Sequence, residues 1–403
     1  MATVRPFAAL RPSDEYIDKV ASLPYDVMSV EEAKEIVKDN PYAFLQIDLP
    51  EVFLEDKMDE ENPVKYKYAK DYLQKLIDNK VLIQDGEECY YIYQLKNDTV
   101  TQRGIVGVAS VDEYNNGVIK KHENTRADKE LDRINHVDTC NAHTGPIFLA
   151  YRRNNKLKKI IDNYIANEKA IYDFVADDRV NHTVWKVNNE IGSQITQAFR
   201  EIDSLYIADG HHRAAAAAAV GNKRKTPASG YFLSVSFDED ELHIMDYNRI
   251  VRDLNGLSDK EFMELISKDF HINEEKEIYR PGEKANFGMY YNKRWYSLLA
   301  KDSIKGKGPV DSLDVSILQD YLLDPILGIK EPRLDNRIEF IGGIRGLKYL
   351  EELADQYGGV AFSMYPTSIQ ELMEVADINE LMPPKSTWFE PKLRSGIFIN
   401  PLD

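Results

Sequence analysis

One tract of the chain concentrates groups that bind anions and move protons: Ile207-Ala208-Asp209-Gly210-His211-His212-Arg213. The apolar run from Ser204 to Ala208 reads as a buried strand. Arg213 and the six alanines Ala214 to Ala219 read as a helix, since alanine is the strongest helix former. A helix N-terminus exposes backbone N–H groups that lack intrahelical partners and carries a partial positive charge, a setting that suits phosphate. Gly210 would let a ligand approach the backbone closely, and Arg213 would add a planar donor fork. Asp209, at the strand's end, is placed to accept a hydroxyl proton or to hold a metal ion. The dipole favours the neutral forms of His211 and His212, which could then donate to an oxyanion. The alternative is an aspartate cap on an ordinary helix. The alanines read as packing, letting the helix lie close to a sheet.

Three further segments carry candidate groups. Lys121-His122-Glu123-Asn124-Thr125 precedes a predicted helix over 124–139, on which Thr125, Lys129, Asp132, Arg133 and His136 would share one face. His122-Glu123 lacks a histidine at the helical return position, so the zinc-protease motif is absent. Glu123 remains a candidate magnesium ligand or general base, beside Asp209. His122, Thr125 and Arg133 are either substrate contacts or part of an ordinary solvated face. Pro24-Tyr25-Asp26-Val27 is a stiff turn whose carboxylate either satisfies local donors or takes part in catalysis. Met382-Pro383-Pro384-Lys385-Ser386-Thr387, followed by Lys392, is either a phosphate clamp or a surface loop anchored by Trp388 and Phe389. The phosphate-loop, dinucleotide-fingerprint, nucleophile-elbow and protein-kinase signatures are all missing, so nucleotide chemistry here needs another scaffold.

The elements that must position these groups follow from punctuation and periodicity. A capping box, Ser29 with Glu32, opens a helix that Asn40-Pro41 stops. A helix is expected over 64–79 and another over 156–168, with an antiparallel meander over 89–95 and 105–111. Two strands, 231–237 and 242–251, follow the alanine helix. Residues 51–63 are acidic and read as a solvated loop. The fold class is α+β, a mixed α/β chain, with domains at 1–260 and 261–403.

Composition narrows the function classes. The 403 residues are 43% hydrophobic and 30% charged, which fits a globular protein. Lys plus Arg number 51 against 68 acids, a net charge of −17, which argues against nucleic-acid partners and anionic lipid. No apolar run approaches the roughly 20 residues that span a bilayer. Residues 1–6 lack the apolar core of a signal peptide, and two cysteines, Cys89 and Cys140, make no disulfide framework. A cytoplasmic location is expected.

Arg5-Pro6-Phe7, Pro24-Tyr25-Asp26-Val27, His122-Glu123-x-Thr125, Asp209-Gly210-His211-His212-Arg213 and Met382 to Thr387 together resemble the domain-of-unknown-function family numbered 1015, from near residue 4 to beyond 396. The Asp-Gly-His-His-Arg tract, within 204–220, is also similar to that of archaeal free-serine kinases of the ParB/sulfiredoxin-like superfamily. The resemblance implies a ParB/sulfiredoxin-like core with a mixed sheet and flanking helices, and a C-terminal α/β region that completes the site. It further implies Mg2+-dependent phosphoryl transfer between ATP or ADP and free serine, or from phosphoserine in reverse. Gly210, His211, His212 and Arg213 would bind phosphate and Asp209 would orient or deprotonate the hydroxyl. Asp26 and Glu123 compete for the role of the second carboxylate. A phosphoserine phosphatase and a ParB-like nucleotide switch are the alternatives. Partners would be small molecules, with the oligomeric state open.

Overall fold

The computed structural model describes residues 1–54 and 62–403. They form two units, Met1–His243 with Pro391–Asp403, and Ile244–Glu390. Both mix helices and strands. Of the acidic stretch 51–63, residues 55–61 lie outside the described residues, while Pro50–Phe53 form a 3-10 turn.

The first unit is built on a nine-stranded mixed sheet among the described residues. At one end Leu205–Asp209 runs parallel to Ile119–Lys120 and antiparallel to Ile147–Tyr151. Ile147–Tyr151 in turn runs parallel to Tyr231–Asp238, and the remaining strands continue antiparallel through Thr101–Ser110 and Tyr91–Lys96. Ile147–Tyr151 is buried at every position, as a strand covered on both faces must be. The meander and the strand–turn–helix–strand unit expected from the sequence are both present. The helix after the turn, His211–Arg224, places Ala214, Ala215, Ala217 and Ala218 in one buried cluster with Leu205, Ile207, Leu149 and Phe232. A Cβ at Gly221 would stand 2.4 Å from the Ser229 carbonyl, so this helix comes close to its neighbour only because that position has no side chain.

Local signals held where they were self-contained. Ser29 and Glu32 form a capping box on Val30–Asp39, and helices run over Val64–Asp78 and Asn155–Asn167. The helix expected over 124–139 begins later, at Ala127, and ends at Cys140. Thr125 therefore precedes the helix instead of sharing its face. Its hydroxyl donates to Glu130 at 2.7 Å, and Arg126 adopts an extended backbone as the N-cap. Arg133 and His136 do lie on the helix and are both buried.

The division between units falls at 243/244, where the sequence reading set it at 260/261. Tyr247–Val251 pairs with Ile338–Gly342 and Val360–Ser363, partners that come much later in the chain. The predicted strand 242–251 is interrupted at Asp246, which is buried and ion-paired with Arg280 at 2.7 Å. The second unit carries a six-stranded antiparallel sheet, with helices that include Leu347–Tyr357. Residues 391–403 return to the first unit: Ile399 exchanges backbone hydrogen bonds with Leu10, and Asn400 pairs with His143. Among the described residues, no helix is long and apolar enough to cross a membrane.

Candidate active site

The strand Leu205–Asp209 ends in a register shift between Ile207 and Asp209, where two residues oppose Phe148 alone. Such a bulge bends the strand and re-aims the side chains at its end. Gly210 follows at φ 94°, and the first bond of the helical ladder runs from Ala214 N–H to the Gly210 carbonyl. The N–H groups of His211, His212 and Arg213 thus lie outside the helix's own ladder.

The Arg213 side chain folds back over this turn. A Cβ at Gly210 would stand 3.1 Å from its Nε. Nη1 donates to the Pro146 carbonyl at 2.6 Å, Nη2 lies 3.5 Å from Asp209 Oδ2, and Nε is buried with no partner. Lys392 Nζ stands 3.7 Å from the same Asp209 oxygen. Burial works against the Arg213 charge, but Asp26 and Asp209, with Tyr25 and Asp48, more than offset it and raise its pKa. Asp26 and Asp209 therefore both act on Arg213, and Lys392 stands against Asp209, within the first unit.

Behind Arg213 lies a small cavity that it lines with Tyr25, Asp48, Arg133, Thr144 and Gly145. Asp48 is 3% exposed and accepts from Thr144 Oγ1 at 2.9 Å and Ser395 Oγ at 2.6 Å. Arg133 donates to the Asp48 carbonyl and to Asp132, and its guanidinium covers the Tyr25 ring at 4.1 Å. Asp48 and Thr144 escaped the sequence reading. The one available signal was an acid, Asp48, inside the apolar run Phe44 to Leu49.

On the other side of the turn His211 meets His122 edge to face, ring centroids 4.4 Å apart at 88°. His122 N–H reaches His211 Nε2 at 3.5 Å, and Arg126 N–H donates to His212 Nε2 at 3.0 Å. The His212 imidazole thus tethers the segment before the Ala127–Cys140 helix, and the His211 ring stands against it. Burial lowers the His122 pKa to about 4, against a hydrogen bond to the Ile207 carbonyl and the Asp209 charge. Burial, then His122, holds His211 well below the usual histidine value. Glu123 completes a group with His122 and His211 whose donor atoms lie within 4.8 Å of one another. A cleft of about 350 Å³ opens here, lined by Glu123, His211, Lys121, Thr125, Tyr114 and Ala218 among others. That is a small-ligand volume, and the alanine helix contributes to its wall as well as to the core.

Lys385, Ser386 and Thr387 belong to the second unit. Ser386 is buried and its hydroxyl donates to the Pro383 carbonyl at 2.6 Å, while Arg249 donates to the Lys385 carbonyl at 3.0 Å.

The chain matches, over residues 4–316, the family model described as "Protein of unknown function (DUF1015)". No curated protein matches it. Among solved structures it is similar to a free serine kinase mutant in complex with AMP, at 16% identity and TM-score 0.38, covering 73% of this chain and 91% of that one. A free serine kinase mutant in complex with ADP is similar at 16% identity and TM-score 0.37, covering 75% and 96%. SbnI with C-terminal truncation, from Staphylococcus aureus, is similar at 11% identity and TM-score 0.37, covering 71% and 84%.

Proposed function

The chain belongs to the DUF1015 family of proteins of unknown function, and we propose that it is a nucleotide-dependent phosphotransferase moving a phosphoryl group to or from the hydroxyl of free serine. Arg213 carries this reading. At a helix N-terminus its guanidinium presents a buried, unpartnered Nε–H and has Lys392 close by on Asp209. A buried cationic donor without an acceptor is costly unless an anion completes it.

Phosphoryl transfer needs positioning and neutralisation of charge more than covalent help. The amides of residues 211–213, Arg213 and Lys392 would bind the phosphates. Those phosphates would compete with Asp209 for its two cations and free the carboxylate to take the proton of the serine hydroxyl. Asp26, which acts on the same guanidinium, is the second carboxylate of the site. Magnesium takes oxygen ligands and retains water, so Asp209 together with phosphate oxygens is the donor set that fits it. When bound it would neutralise charge on the phosphates. Glu123, flanked by two imidazoles, does not suit it.

Purified protein incubated with ATP or ADP, magnesium, and serine or phosphoserine tests the reading. Transfer in either direction, lost in Asp209→Asn, supports it. Phosphate release from phosphoserine without nucleotide turnover would replace it with the hydrolytic reaction. No turnover above the Asp209→Asn control would end it.

A further inference from the structure

His122, Glu123 and His211 come from two separate segments, the stretch before the Ala127–Cys140 helix and the first turn of His211–Arg224. They bring two imidazoles and one carboxylate within 4.8 Å, donor atom to donor atom. Around a tetrahedral ion with bonds of about 2.0 Å, donors stand roughly 3.3 Å apart. Side-chain movement on binding would have to close that difference.

His122 points to the occupant. It is 2% exposed, one ring nitrogen bonds the Ile207 carbonyl, and Nδ1 is buried with no partner. A ligating histidine has this form: the far nitrogen held by a backbone carbonyl, the near one left with its lone pair. His211 Nε2 is engaged only by a 3.5 Å contact from His122 N–H, at the weak limit of a hydrogen bond, and is easily released. Glu123 and His211 both face the cleft of about 350 Å³, which leaves room for water or a ligand oxygen at further coordination positions.

We infer that His122, Glu123 and His211 form a binding site for a divalent transition-metal ion of the zinc class, open towards the cleft. Two imidazoles with one carboxylate select such ions over magnesium, which prefers oxygen donors throughout. Its donor set shares no side chain with the oxygen set at Asp209, and the assignment does not depend on phosphoryl transfer.

The test uses the full chain, stripped with chelator, titrated with CoCl2 and followed by visible d–d absorption, then with ZnCl2 by calorimetry. One equivalent should bind, with zinc displacing cobalt and a hundredfold excess of MgCl2 leaving the spectrum unchanged. Glu123→Gln and His211→Gln should each weaken cobalt binding at least tenfold. Metal-free thermal unfolding of each variant separates ligand loss from misfolding, and Glu123, only partly buried, is the safer of the two. Absence of stoichiometric binding, equal binding by both folded variants, or displacement by magnesium would overturn the assignment. Asp209→Asn should keep the cobalt spectrum, so failure of the phosphotransfer reading and failure of this one are read separately.

Discussion

Ser395 Oγ donates a 2.6 Å hydrogen bond to Asp48 Oδ2 across 347 positions of sequence. The bond joins the returning C-terminal segment to a buried carboxylate whose other oxygen is held by Thr144. The same segment carries Lys392 to Asp209 and Arg394 to Asp178. The side chains around Asp209 and Asp48 are thus completed by residues that arrive last.

Ser395→Ala removes one charge-assisted bond and leaves an Asp48 oxygen buried without a donor. Hydrogen bonds to charged groups contribute about 1.5–3 kcal/mol. Chemical denaturation should show the first unit destabilised by about that amount. An unchanged unfolding midpoint would contradict the proposed importance of this bond.

Gly210→Ala places a side chain at φ 94° with its Cβ 3.1 Å from Arg213 Nε. The left-handed backbone costs about 1–2 kcal/mol for a residue with a Cβ. The crowding falls on the far end of a flexible side chain, so it is relieved by moving the guanidinium. Stability should therefore drop by only about 1–2 kcal/mol, while ATP affinity, followed by calorimetry, falls more than tenfold. Unchanged ATP affinity, with the effect confined to the melting temperature, would reverse that order.

Asp314, in the second unit, has its pKa raised to about 7 by burial, with Glu371 adding to the shift and Lys284 and the Ala285 N–H opposing it. An unfolded aspartate titrates near about 3.9. Between these values the native state holds a proton that the unfolded chain has released. Its contribution is fully present below about pH 4 and is lost as pH rises to about 7, at up to about 1.4 kcal/mol per pH unit. Asp314→Asn should therefore exceed the wild type in stability at pH 8, with the gap shrinking towards pH 5. Urea unfolding followed by the fluorescence of Trp295 and Trp388, both in this unit, would show it. A gap independent of pH would exclude proton linkage at Asp314.

Much of the fold was legible because its signals are local. The Ser29–Glu32 capping box and the strand, turn and helix of 205–224 rest on contacts within a few residues, and each formed as read. The start of the 127–140 helix was not legible. The backbone donor of 126 goes to the imidazole of 212, 86 positions away, where Arg126 is extended as the N-cap and Thr125 precedes the helix. The boundary at 243/244 escaped for a similar reason, since Tyr247–Val251 finds its partners nearly a hundred residues later.

Read alone, the order of residue types determined that an acid, a glycine and an arginine stand where a buried strand passes into a helix, because propensity and alternation act over short spans. The fold alone decided that Arg213 turns inward over Gly210 towards Asp26 and Asp48, that Lys392 meets Asp209, and that His211 joins His122 and Glu123. Those encounters depend on how the sheet orders its strands and where the chain's last thirteen residues dock. Burial and pairing over hundreds of positions set both, and no short window of sequence contains them.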